Sequence, residues 1–427
     1  MVNEPAVQNS PKIPHVVIVG AGFGGLACAQ ALGGKPVKVT IVDRRNYHLF
    51  VPLLYQVATA ALSPADIARP IRRILSRCKN VDVVLGTVAA VDTAARRVRL
   101  SNGTELSYDK LVVATGSEYS YFGHPEWAEF APGPRSLEDA RRIRARLLTA
   151  FERAEASRDP VQQDALMTTV IVGGGPTGVE MAGSVAELAG HALARDFRTI
   201  DPRRAKIILI EAGPRILSAF PEKLSDYAKA ALEKLGVTVI LNEAVDSIDA
   251  KGVVVAGRRI DAGTVIWGAG IKASPAAGML GVPLDRAGRV ELNPDLSVKG
   301  MTDVYALGDM ANTLDEKGTP LPALAQVAAQ QGYYLGRALA KSFADGKPLP
   351  PFKFRNRGNT AIVGRNAAVF DFGWMQLKGR FAWLMWALIH VYLLVGFDNR
   401  LRVCLQWLWA YITYERGARL IMRDFES

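Results

Sequence analysis

The chain has 427 residues, of which 49% are hydrophobic, and its 52 Lys and Arg against 41 Asp and Glu give a formal net charge of +11. This length predicts two or three domains, and the apolar fraction excludes a disordered chain. The three Cys, at positions 28, 78 and 404, show neither C-x-x-C nor zinc-ligand spacing. That pattern excludes a disulfide scaffold, a structural zinc site and a dithiol redox centre. The charge leaves open nucleic acid, an anionic membrane or an ordinary surface bias.

The first predicted unit is a strand, a glycine loop, a helix and a second strand. It comprises, in order, a buried strand at 15–19, the G-x-G-x-x-G glycines Gly20, Gly22 and Gly25, a helix at 26–32, and a strand at 38–42 that ends at Asp43. In such a loop the glycines permit the tight turn, the approach of a pyrophosphate and close helix–strand packing. The helix N-terminus attracts the phosphates, and the acid accepts ribose hydroxyls. This unit therefore predicts a dinucleotide site.

The same pattern recurs, so the chain contains an internal repeat. The second copy has a strand at 169–172, the glycines Gly173, Gly175 and Gly178, a helix through 188, and a strand at 206–210 that ends at Glu211. Asp43 follows Gly20 by 23 residues, whereas Glu211 follows Gly173 by 38. The second copy therefore carries an insertion, at about 191–204, whose role the sequence leaves open.

The acid of the second copy bears on the choice of nucleotide. A carboxylate at Glu211 pairs with two ribose hydroxyls and repels a 2′-phosphate, which predicts NADH rather than NADPH. A solvated acid at a strand end is the alternative interpretation. Arg215, four residues further on, is an argument in the other direction.

The segments outside the two copies predict simpler structure. Ser136 to Asp139 resembles a capping box and predicts a solvated connecting helix to about Ala156. Short strands are expected around 81–116 and 237–268, and 343–351 is rich in Gly, Pro and Lys, which predicts a linker. The three Cys are interpreted as small core residues.

Two further segments are typical of a flavin site. They are Leu111 to Gly116 (LVVATG), a strand leading into a turn of small residues, and Asp303 to Asp309 (DVYALGD), a strand ending in Gly-Asp. Together with the glycine loops they resemble the two-dinucleotide-binding-domain flavoproteins. The resemblance implies an α/β fold with two Rossmann-like domains, FAD at the first loop and NADH at the second. It also implies that Ala114, Thr115 and Gly116 pass close to FAD and that Asp309 binds its ribityl chain.

The FAD domain must then be discontinuous, because the NADH unit interrupts it. We predict an FAD-binding domain at 1–120 and 290–345, an NADH-binding domain at 160–289, a connecting helical segment at 121–159, and a C-terminal membrane-attachment region at 346–427.

Four segments resemble the type II NADH dehydrogenases, which are NADH:quinone oxidoreductases that do not pump protons. They are Tyr47 to Leu62 (YHLFVPLLYQVATAAL), Leu324 to Gly332 (LAQVAAQQG), Gly178 to Glu180 (GVE), and the tail from Leu388 (LIHVYLLVGFDNRLRV). The resemblance covers nearly the whole chain. It implies that Ala325 and Gln326 lie beside the flavin near a quinone pocket, that Glu180 lies near the nicotinamide–flavin contact, and that the tail attaches to a membrane.

The predicted catalytic residues are Glu180, Gln326 and Gln330. The two glutamines are four residues apart on a predicted helix and share one face, where amides can hydrogen-bond a flavin edge and a quinone carbonyl without adding charge. Glu180 is predicted in the first turn of its helix, where the helix dipole favours a carboxylate. Hydride transfer needs no metal, so no metal site is predicted. The other predicted cofactor-binding residues are Phe23, Gly24, Arg44, Val88, Val327, Pro176, Thr177 and Gly270.

The tail contains five of the seven Trp within the last 54 residues. Phe381 to Phe397 has 17 residues without a formal charge, at the lower end of the ~17–25 that span a bilayer. Leu401 to Met422 is amphipathic, with Arg402, Gln406, Thr413 and Arg416 on one polar stripe. Trp and Tyr favour headgroups, and Arg favours anionic lipid. We predict monotopic attachment to an anionic membrane surface, with a buried dimer interface and a true span as alternatives.

Three functions remain as hypotheses. The first is an FAD-dependent NADH:quinone oxidoreductase, peripheral on the cytoplasmic face of the cell membrane, a homodimer, with ubiquinone or menaquinone as acceptor. The second is a soluble NADH-dependent ferredoxin- or rubredoxin-type reductase, which does not explain the apolar tail. The third is a non-catalytic redox sensor, against which Glu180 and Gln326 argue. Nucleic acid is not an expected partner, because the basic residues are scattered without a stripe.

Overall fold

The computed structural model describes residues 13–395, 397–413 and 415–421, apart from the side chains of residues 397 and 398. Met422, the last residue of the predicted amphipathic stretch, lies outside them. The chain divides into two compact units. The first contains Met1–His48, Pro70–Glu118 and Lys272–Arg355, and the second contains Leu49–Arg69, Tyr119–Ile271 and Asn356–Ser427.

A five-stranded parallel sheet forms the centre of the first unit. Its strands, in spatial order, are Val304–Ala306, Lys110–Val113, His15–Val19, Lys38–Asp43 and Val81–Leu85. The central strands are β-branched runs buried on both faces, which is the environment of a parallel sheet. The unit also contains the helices Phe23–Leu32, Ile71–Ile74 and Ala325–Asp345 and the strands Val88–Asp92, Arg97–Leu100, Glu105–Ser107, Val290–Glu291 and Ala311–Asn312.

Two helices of this unit, Phe23–Leu32 and Ala325–Asp345, cross at close range through glycines. A Cβ at Gly332 would overlap the carbonyl oxygen of Gly24, and one at Gly336 would lie 2.7 Å from the Cβ of Ala31. Gly332 ends the LAQVAAQQG segment, so close packing explains the glycine there. The second helix runs to Asp345, so it occupies the first residues of the predicted linker.

A four-stranded parallel sheet forms the centre of the second unit, so the two predicted Rossmann-like folds are confirmed. Its strands, in spatial order, are Val237–Leu241, Lys206–Glu211, Thr168–Val172 and Thr264–Trp267. Two antiparallel sheets accompany it, formed by Val245–Asp249, Gly252–Val255 and Arg258–Asp261, and by Asn359–Gly364, Ala367–Asp371 and Gln376–Lys378. The short strands Tyr47–Leu49, Ala68–Pro70, Ser117–Tyr119 and Ile271–Ala273 lie at the limits of the units.

The second unit also contains several α-helices. They are Leu54–Ala58, Pro64–Ile67, Trp127–Phe130, Leu137–Ala156, Pro160–Leu166, Pro176–Glu187, Glu222–Lys234, Arg380–Leu393 and Phe397–Thr413. In the ranges that the structure describes, no helix combines the length and apolarity needed to cross a bilayer.

The helix Leu137–Ala156 begins at the predicted capping box. The N–H of Asp139 donates to Oγ of Ser136 at 3.1 Å, and the N–H of Ser136 donates to Oδ2 of Asp139 at 2.9 Å. The prediction that this helix is solvated is wrong, because apolar residues recur at helical spacing and bury one face of it. Phe151 on that face belongs to the same apolar cluster as Leu193 and Ile200. The insertion at 191–204 therefore packs against this helix.

The cysteines differ in their surroundings. Cys28 is buried, and burial raises the pKa of its thiol to about 12, which makes it inert near neutral pH. Cys78 is partly buried, whereas Cys404 is exposed on the helix Phe397–Thr413, so its interpretation as a core residue is wrong.

Candidate functional site

The first glycine loop joins His15–Val19 to Phe23–Leu32. Gly20 has a φ of +99°, and a Cβ there would overlap the carbonyl oxygen of Ala114; a Cβ at Gly25 would overlap the carbonyl oxygen of Gly20. By contrast, nothing lies within 4 Å of a Cβ built on Gly22. The loop is therefore tightly packed at its first and third glycines and open at its second, where a pyrophosphate needs room.

Asp43 closes this loop from the next strand. Its Oδ2 accepts the N–H of Ala21 at 2.6 Å and its Oδ1 accepts the N–H of Arg45 at 2.8 Å, while Arg44 is exposed beside it. The sequence reasoning missed His48, a buried residue of the YHLFVPLLYQ segment. Its Nδ1 lies 2.9 Å from the carbonyl oxygen of Ala21, and its ring meets that of Phe23 edge-on at 5.1 Å.

Asp309 lies in a short 3-10 turn, Gly308–Met310, directly after the strand Val304–Ala306. The hydroxyl of Ser117 donates to its Oδ2 at 2.7 Å, and the hydroxyl of Thr115 lies 3.2 Å from the sulfur of Met310. The predicted A-T-G turn and the Gly-Asp turn are therefore neighbours within the first unit.

Gln331 is a site residue that the sequence reasoning missed. It is buried, its Oε1 accepts the N–H of Gly308 at 2.7 Å, and its Nε2 donates to Oγ1 of Thr313 at 2.8 Å. It therefore fixes the turn that carries Asp309. The sequence signal that could have identified Gln331 was its position in the AQVAAQQG segment, directly after the predicted catalytic residue Gln330.

The predicted glutamines lie on the helix Ala325–Asp345, which begins at Ala325. Val327 is buried on this helix, and Gln326 is partly buried. Gln330 holds the backbone of Arg355, donating to its carbonyl oxygen at 2.9 Å and accepting its N–H at 3.1 Å. That pairing gives Gln330 a structural task besides its predicted catalytic one.

The second glycine loop repeats the geometry of the first. Gly173 has a φ of +105°, and a Cβ there would lie 2.6 Å from Cα of Ala269; a Cβ at Gly178 would overlap the carbonyl oxygen of Gly173. Nothing lies within 4 Å of a Cβ built on Gly175, which caps the helix that starts at Pro176 and Thr177. The open space at the second glycine is thus present in both loops.

Glu211 closes the second loop as Asp43 closes the first. Its Oε2 accepts the N–H of Gly174 at 2.6 Å, and its Oε1 accepts the N–H of Gly213 at 2.7 Å. Arg215 turns to its own loop, donating to the carbonyl oxygens of Phe220 at 3.0 Å and Ser218 at 2.9 Å. Its guanidinium is therefore already engaged, which weakens its interpretation as a 2′-phosphate ligand.

The loop after Thr264–Trp267 borders the second glycine loop. Gly270 has a φ of +116°, and a Cβ there would lie 2.8 Å from the ring of Phe122. Val88, predicted for the first site, is partly buried at the start of the strand Val88–Asp92.

Glu180 lies beyond the first turn of the helix Pro176–Glu187, so its predicted place in that turn is wrong. Burial raises the pKa of its carboxyl to about 8, and the N–H of Ile362, which donates to Oε1 at 3.4 Å, offsets only part of this. The predicted dipole stabilisation of a carboxylate is outweighed, because the dipole's effect falls off within the first turn while burial penalises the charge. Glu180 is therefore a neutral acid near pH 7.

The C-terminal helices expose apolar side chains. These are Phe381, Leu384 and Leu388 on Arg380–Leu393, and Leu401, Leu405, Leu408 and Ile412 on Phe397–Thr413, which we call the apolar surface. Soluble monomers seldom expose so many large apolar side chains together, and such a patch marks contact with a partner or a membrane. His390 on Arg380–Leu393 is buried, and burial lowers the pKa of His390 to about 4, so this histidine adds no charge.

The prediction that Arg416 belongs to the polar stripe is wrong. The second C-terminal helix ends at Thr413, and Arg416 beyond it is buried. Its Nη1 donates to the carbonyl oxygens of Thr59 at 2.9 Å and Ser184 at 3.0 Å, and its Nη2 pairs with Oε2 of Glu187 at 3.2 Å. A buried guanidinium is tolerated because an acid and several carbonyls satisfy it.

Comparisons with known proteins place these features in a family. A family model described as pyridine nucleotide-disulphide oxidoreductase matches residues 14–332. The chain is 41% identical to the type II NADH:quinone oxidoreductase Ndh of Mycobacterium tuberculosis, over 97% of this chain and 91% of that protein. It is 42% identical to the type II NADH:quinone oxidoreductase NdhA of the same organism, over 97% of this chain and 92% of that protein.

A solved structure shares the fold. The structure of NDH2 from Plasmodium falciparum in complex with NADH has a TM-score of 0.87 with this chain at 20% identity. The match covers 96% of this chain and 100% of that chain.

Proposed function

We propose, from the premise that this chain belongs to the type II NADH:quinone oxidoreductases of the pyridine nucleotide-disulphide oxidoreductase family, that it oxidises NADH and reduces a membrane quinone through bound FAD. The observation that supports this most directly is the matching geometry of the two glycine loops. Each has an open second glycine and an acid that accepts loop N–H groups. We assign the FAD domain to 1–120 and 290–345, the NADH domain to 160–289 and the connecting segment to 121–159.

The residues present fit two dinucleotides. Bound FAD would supply the two-electron chemistry that couples NADH oxidation to quinone reduction. The helices that begin at Phe23 and Pro176 offer backbone N–H groups of their first turns to the two pyrophosphates, in the second helix from Thr177 onward because proline has none. Asp43 and Glu211 bind ribose hydroxyls, and Asp309 with Ser117 binds the ribityl chain. Gln326 supplies an uncharged amide beside the flavin.

Glu180 handles a proton in this scheme. Its pKa of about 8 keeps the carboxyl protonated at neutral pH, which suits a general acid that donates to a quinone oxygen. Because Glu180 lies close enough to Tyr55 of the helix Leu54–Ala58 to affect the pKa of that phenol, we place the quinone head group beside these two side chains.

Glu211→Gln should erode the preference for NADH over NADPH. The amide loses charge-assisted hydrogen bonds to the ribose hydroxyls, which corresponds to a KM for NADH raised by roughly 10-fold or more. It also removes the repulsion of a 2′-phosphate, so kcat/KM for NADPH should rise. Steady-state kinetics with both nucleotides measure this.

Glu243→Gln is the matched control for that measurement. Glu243 lies just after the neighbouring strand Val237–Leu241 and pairs with Arg258 at 2.7 Å. Its loss should leave the nucleotide preference unchanged. An unchanged preference in Glu211→Gln itself would show that another residue selects the nucleotide.

The apolar surface attaches the protein to a membrane as a peripheral, homodimeric enzyme on the cytoplasmic face, where NADH is available. Leu405 and Leu408 are each 57% exposed on one helix, so their side chains are free to enter the lipid headgroup region. Arg400 and Arg402 on the same helix provide positive charge for anionic lipid. A lipid-soluble quinone then reaches the enzyme from the bilayer.

Replacing both Leu405 and Leu408 by Asp should weaken binding to vesicles that contain anionic lipid. Each buried leucine contributes about 1.5 kcal/mol or more, so the pair corresponds to roughly 100-fold in affinity. Flotation with vesicles measures binding, while kcat with a water-soluble quinone should stay unchanged. Val161→Asp, at a still more exposed apolar residue (77%) on the helix Pro160–Leu166, is the control. Undiminished flotation of the double variant would mean that the apolar surface serves a protein contact instead.

The acceptor distinguishes this function from a soluble reductase with a protein partner. Purified flavoprotein should reduce ubiquinone or menaquinone analogues with NADH in steady-state assays. Brisk reduction of an added iron–sulfur protein with no reduction of any quinone would refute the proposal.

A further inference from the structure

Three side chains of the second unit form a run of hydrogen bonds from a surface helix to a buried helix. The indole N–H of Trp407, on Phe397–Thr413, donates to Oε1 of Gln56 at 2.8 Å, and Nε2 of Gln56 donates to the hydroxyl oxygen of Tyr55 at 2.8 Å. Gln56 and Tyr55 lie on Leu54–Ala58 and are 7% and 6% exposed. One amide thus connects the C-terminal helix to a buried phenol.

The chemistry of these groups sets the direction of each bond. An indole nitrogen can only donate, so the atom of Gln56 that faces Trp407 must be its oxygen. The NH2 group of the amide must then face Tyr55, whose oxygen accepts. The hydroxyl hydrogen of Tyr55 is consequently directed away from Gln56. Without the indole N–H, the amide is free to turn over and accept that hydrogen itself.

Ionisable groups lie near the Tyr55 hydroxyl. Burial first and the carboxyl of Glu180 second raise the pKa of Tyr55 well above its ordinary value; Glu187 raises it further, while the hydrogen bond from Gln56 and the charge of Arg416 oppose the rise. The phenol therefore keeps its proton throughout the neutral range. It lies close enough to Glu180 for the two groups to interact.

The chain after Tyr55 is also held from the C-terminal segment. Oγ1 of Thr59 donates to the carbonyl oxygen of Tyr55 at 2.9 Å, and Arg416 donates to the carbonyl oxygen of Thr59 at 2.9 Å. The backbone that carries Tyr55 is therefore fixed independently of Trp407, so loss of the indole N–H acts on the orientation of the amide.

We infer that Trp407 is a positioning residue of the Glu180 site: by orienting Gln56, it keeps the Tyr55 hydroxyl as a hydrogen-bond donor to the quinone oxygen that Glu180 protonates. This inference rests on the proposed quinone reduction and adds a donor to it. The inference also connects the helix Phe397–Thr413 of the apolar surface to the Glu180 site, because Trp407, which orients the Tyr55 hydroxyl through Gln56, lies on that helix.

Trp407→Phe removes the N–H and keeps an aromatic ring in place. In detergent-solubilised holoenzyme with a water-soluble quinone, kcat should fall about fivefold, the size of one neutral hydrogen bond. The affinity for a non-reducible quinone analogue, measured without NADH, should fall by a similar factor, and the KM for NADH should not change. Trp409→Phe, two residues further on at an exposed position, should match the wild type.

A double-mutant cycle separates orientation from packing. Tyr55→Phe removes the donor itself and should lower kcat at least as much as Trp407→Phe. If Trp407 acts through the Tyr55 hydroxyl, Trp407→Phe should have no further effect in the Tyr55→Phe background. Additive effects of the two changes, or equal rates for Trp407→Phe and Trp409→Phe, would overturn the inference. Failure of the proposed function looks different, since the wild type itself would then reduce no quinone.

Gln56→Glu supplies a pH-dependent readout. A neutral carboxyl accepts from Trp407 and donates to Tyr55 as the amide does, whereas a carboxylate accepts from both and takes the Tyr55 hydrogen. The ratio of variant to wild-type kcat should therefore be near one at low pH and fall to the Trp407→Phe level as the pH rises. A kcat ratio that stays constant with pH would contradict the inferred orientation of the hydrogen bonds from Trp407 through Gln56 to Tyr55.

Discussion

Glu180→Gln should lose most quinone reduction while it keeps its flavin. Burial raises the pKa of Glu180 to about 8, so the wild-type carboxyl is a proton donor at neutral pH. General acid catalysis contributes roughly 100- to 10,000-fold, and kcat of the glutamine variant should fall by about that factor. In the wild type, kcat should decline as the pH rises through about 8 and the acid ionises. That decline should be absent in the variant.

The same substitution should stabilise the fold in alkali. Below the ordinary carboxyl pKa of 4.5 both the folded and the unfolded protein hold the proton; between 4.5 and about 8 the unfolded chain loses it first. Wild-type stability therefore declines as the pH rises through this window, whereas glutamine has no proton to lose. Above the window Glu180→Gln should unfold at a higher temperature than the wild type, as calorimetry at several pH values can measure. Inactivity combined with greater stability excludes misfolding as the cause.

Glu222→Gln serves as the control for both measurements. Glu222 is an exposed carboxylate in the first turn of Glu222–Lys234, in the same unit as Glu180. Its replacement should change neither the pH profile nor the alkaline stability. Full activity of Glu180→Gln with an unchanged pH profile would remove Glu180 from the mechanism.

Gly22→Ala and Gly175→Ala should have reciprocal effects on the two nucleotides. Both glycines have extended backbone with negative φ values, −69° and −71°, which any residue can adopt, and a Cβ at either meets nothing within 4 Å. The ligand-free protein should therefore accept both methyl groups, while a pyrophosphate lying against the loop should not. An overpacked contact costs ~1–3 kcal/mol, which corresponds to roughly 5- to 150-fold in affinity. Gly22→Ala should be purified with little flavin, and Gly175→Ala with full flavin but a raised KM for NADH.

Gly190→Ala controls for the added methyl group, since a Cβ there also meets nothing within 4 Å and no ligand is expected beside it. Flavin content by absorbance and the KM for NADH decide the outcome. Loss of flavin in Gly175→Ala with retention in Gly22→Ala would reverse the assignment of the two loops.

The parallel sheets and their loops could be predicted from the sequence because their signals are local. The strand His15–Val19 lies where it was predicted, since a short β-branched run before a glycine turn has few other structures. Asp43 and Glu211 lie at the ends of the strands that follow the two loops, as the strand–loop–helix–strand pattern predicted. Because both loops follow the same pattern, the prediction of each loop strengthened the prediction of the other.

Other features depend on contacts between distant parts of the chain. Arg416 was predicted on a polar stripe at helical spacing. The helix ends at Thr413, however, and the guanidinium is bound by buried carbonyl oxygens and by Glu187. The raised pKa of Glu180 is a property of its surroundings, which local sequence does not specify. Gln331 looked like one more residue of a motif, and only the fold shows that it holds the Asp309 turn.

Electron transfer from NADH through the flavin to a quinone is measured most directly by anaerobic rapid mixing, with the flavin absorbance of the purified protein as the signal. NADH should bleach the flavin faster than NADPH does, and subsequent addition of ubiquinone or menaquinone should restore the absorbance at a rate no slower than kcat. A flavin that NADH does not reduce, or that only an iron–sulfur protein reoxidises, would contradict the assignment of this chain as an NADH:quinone oxidoreductase.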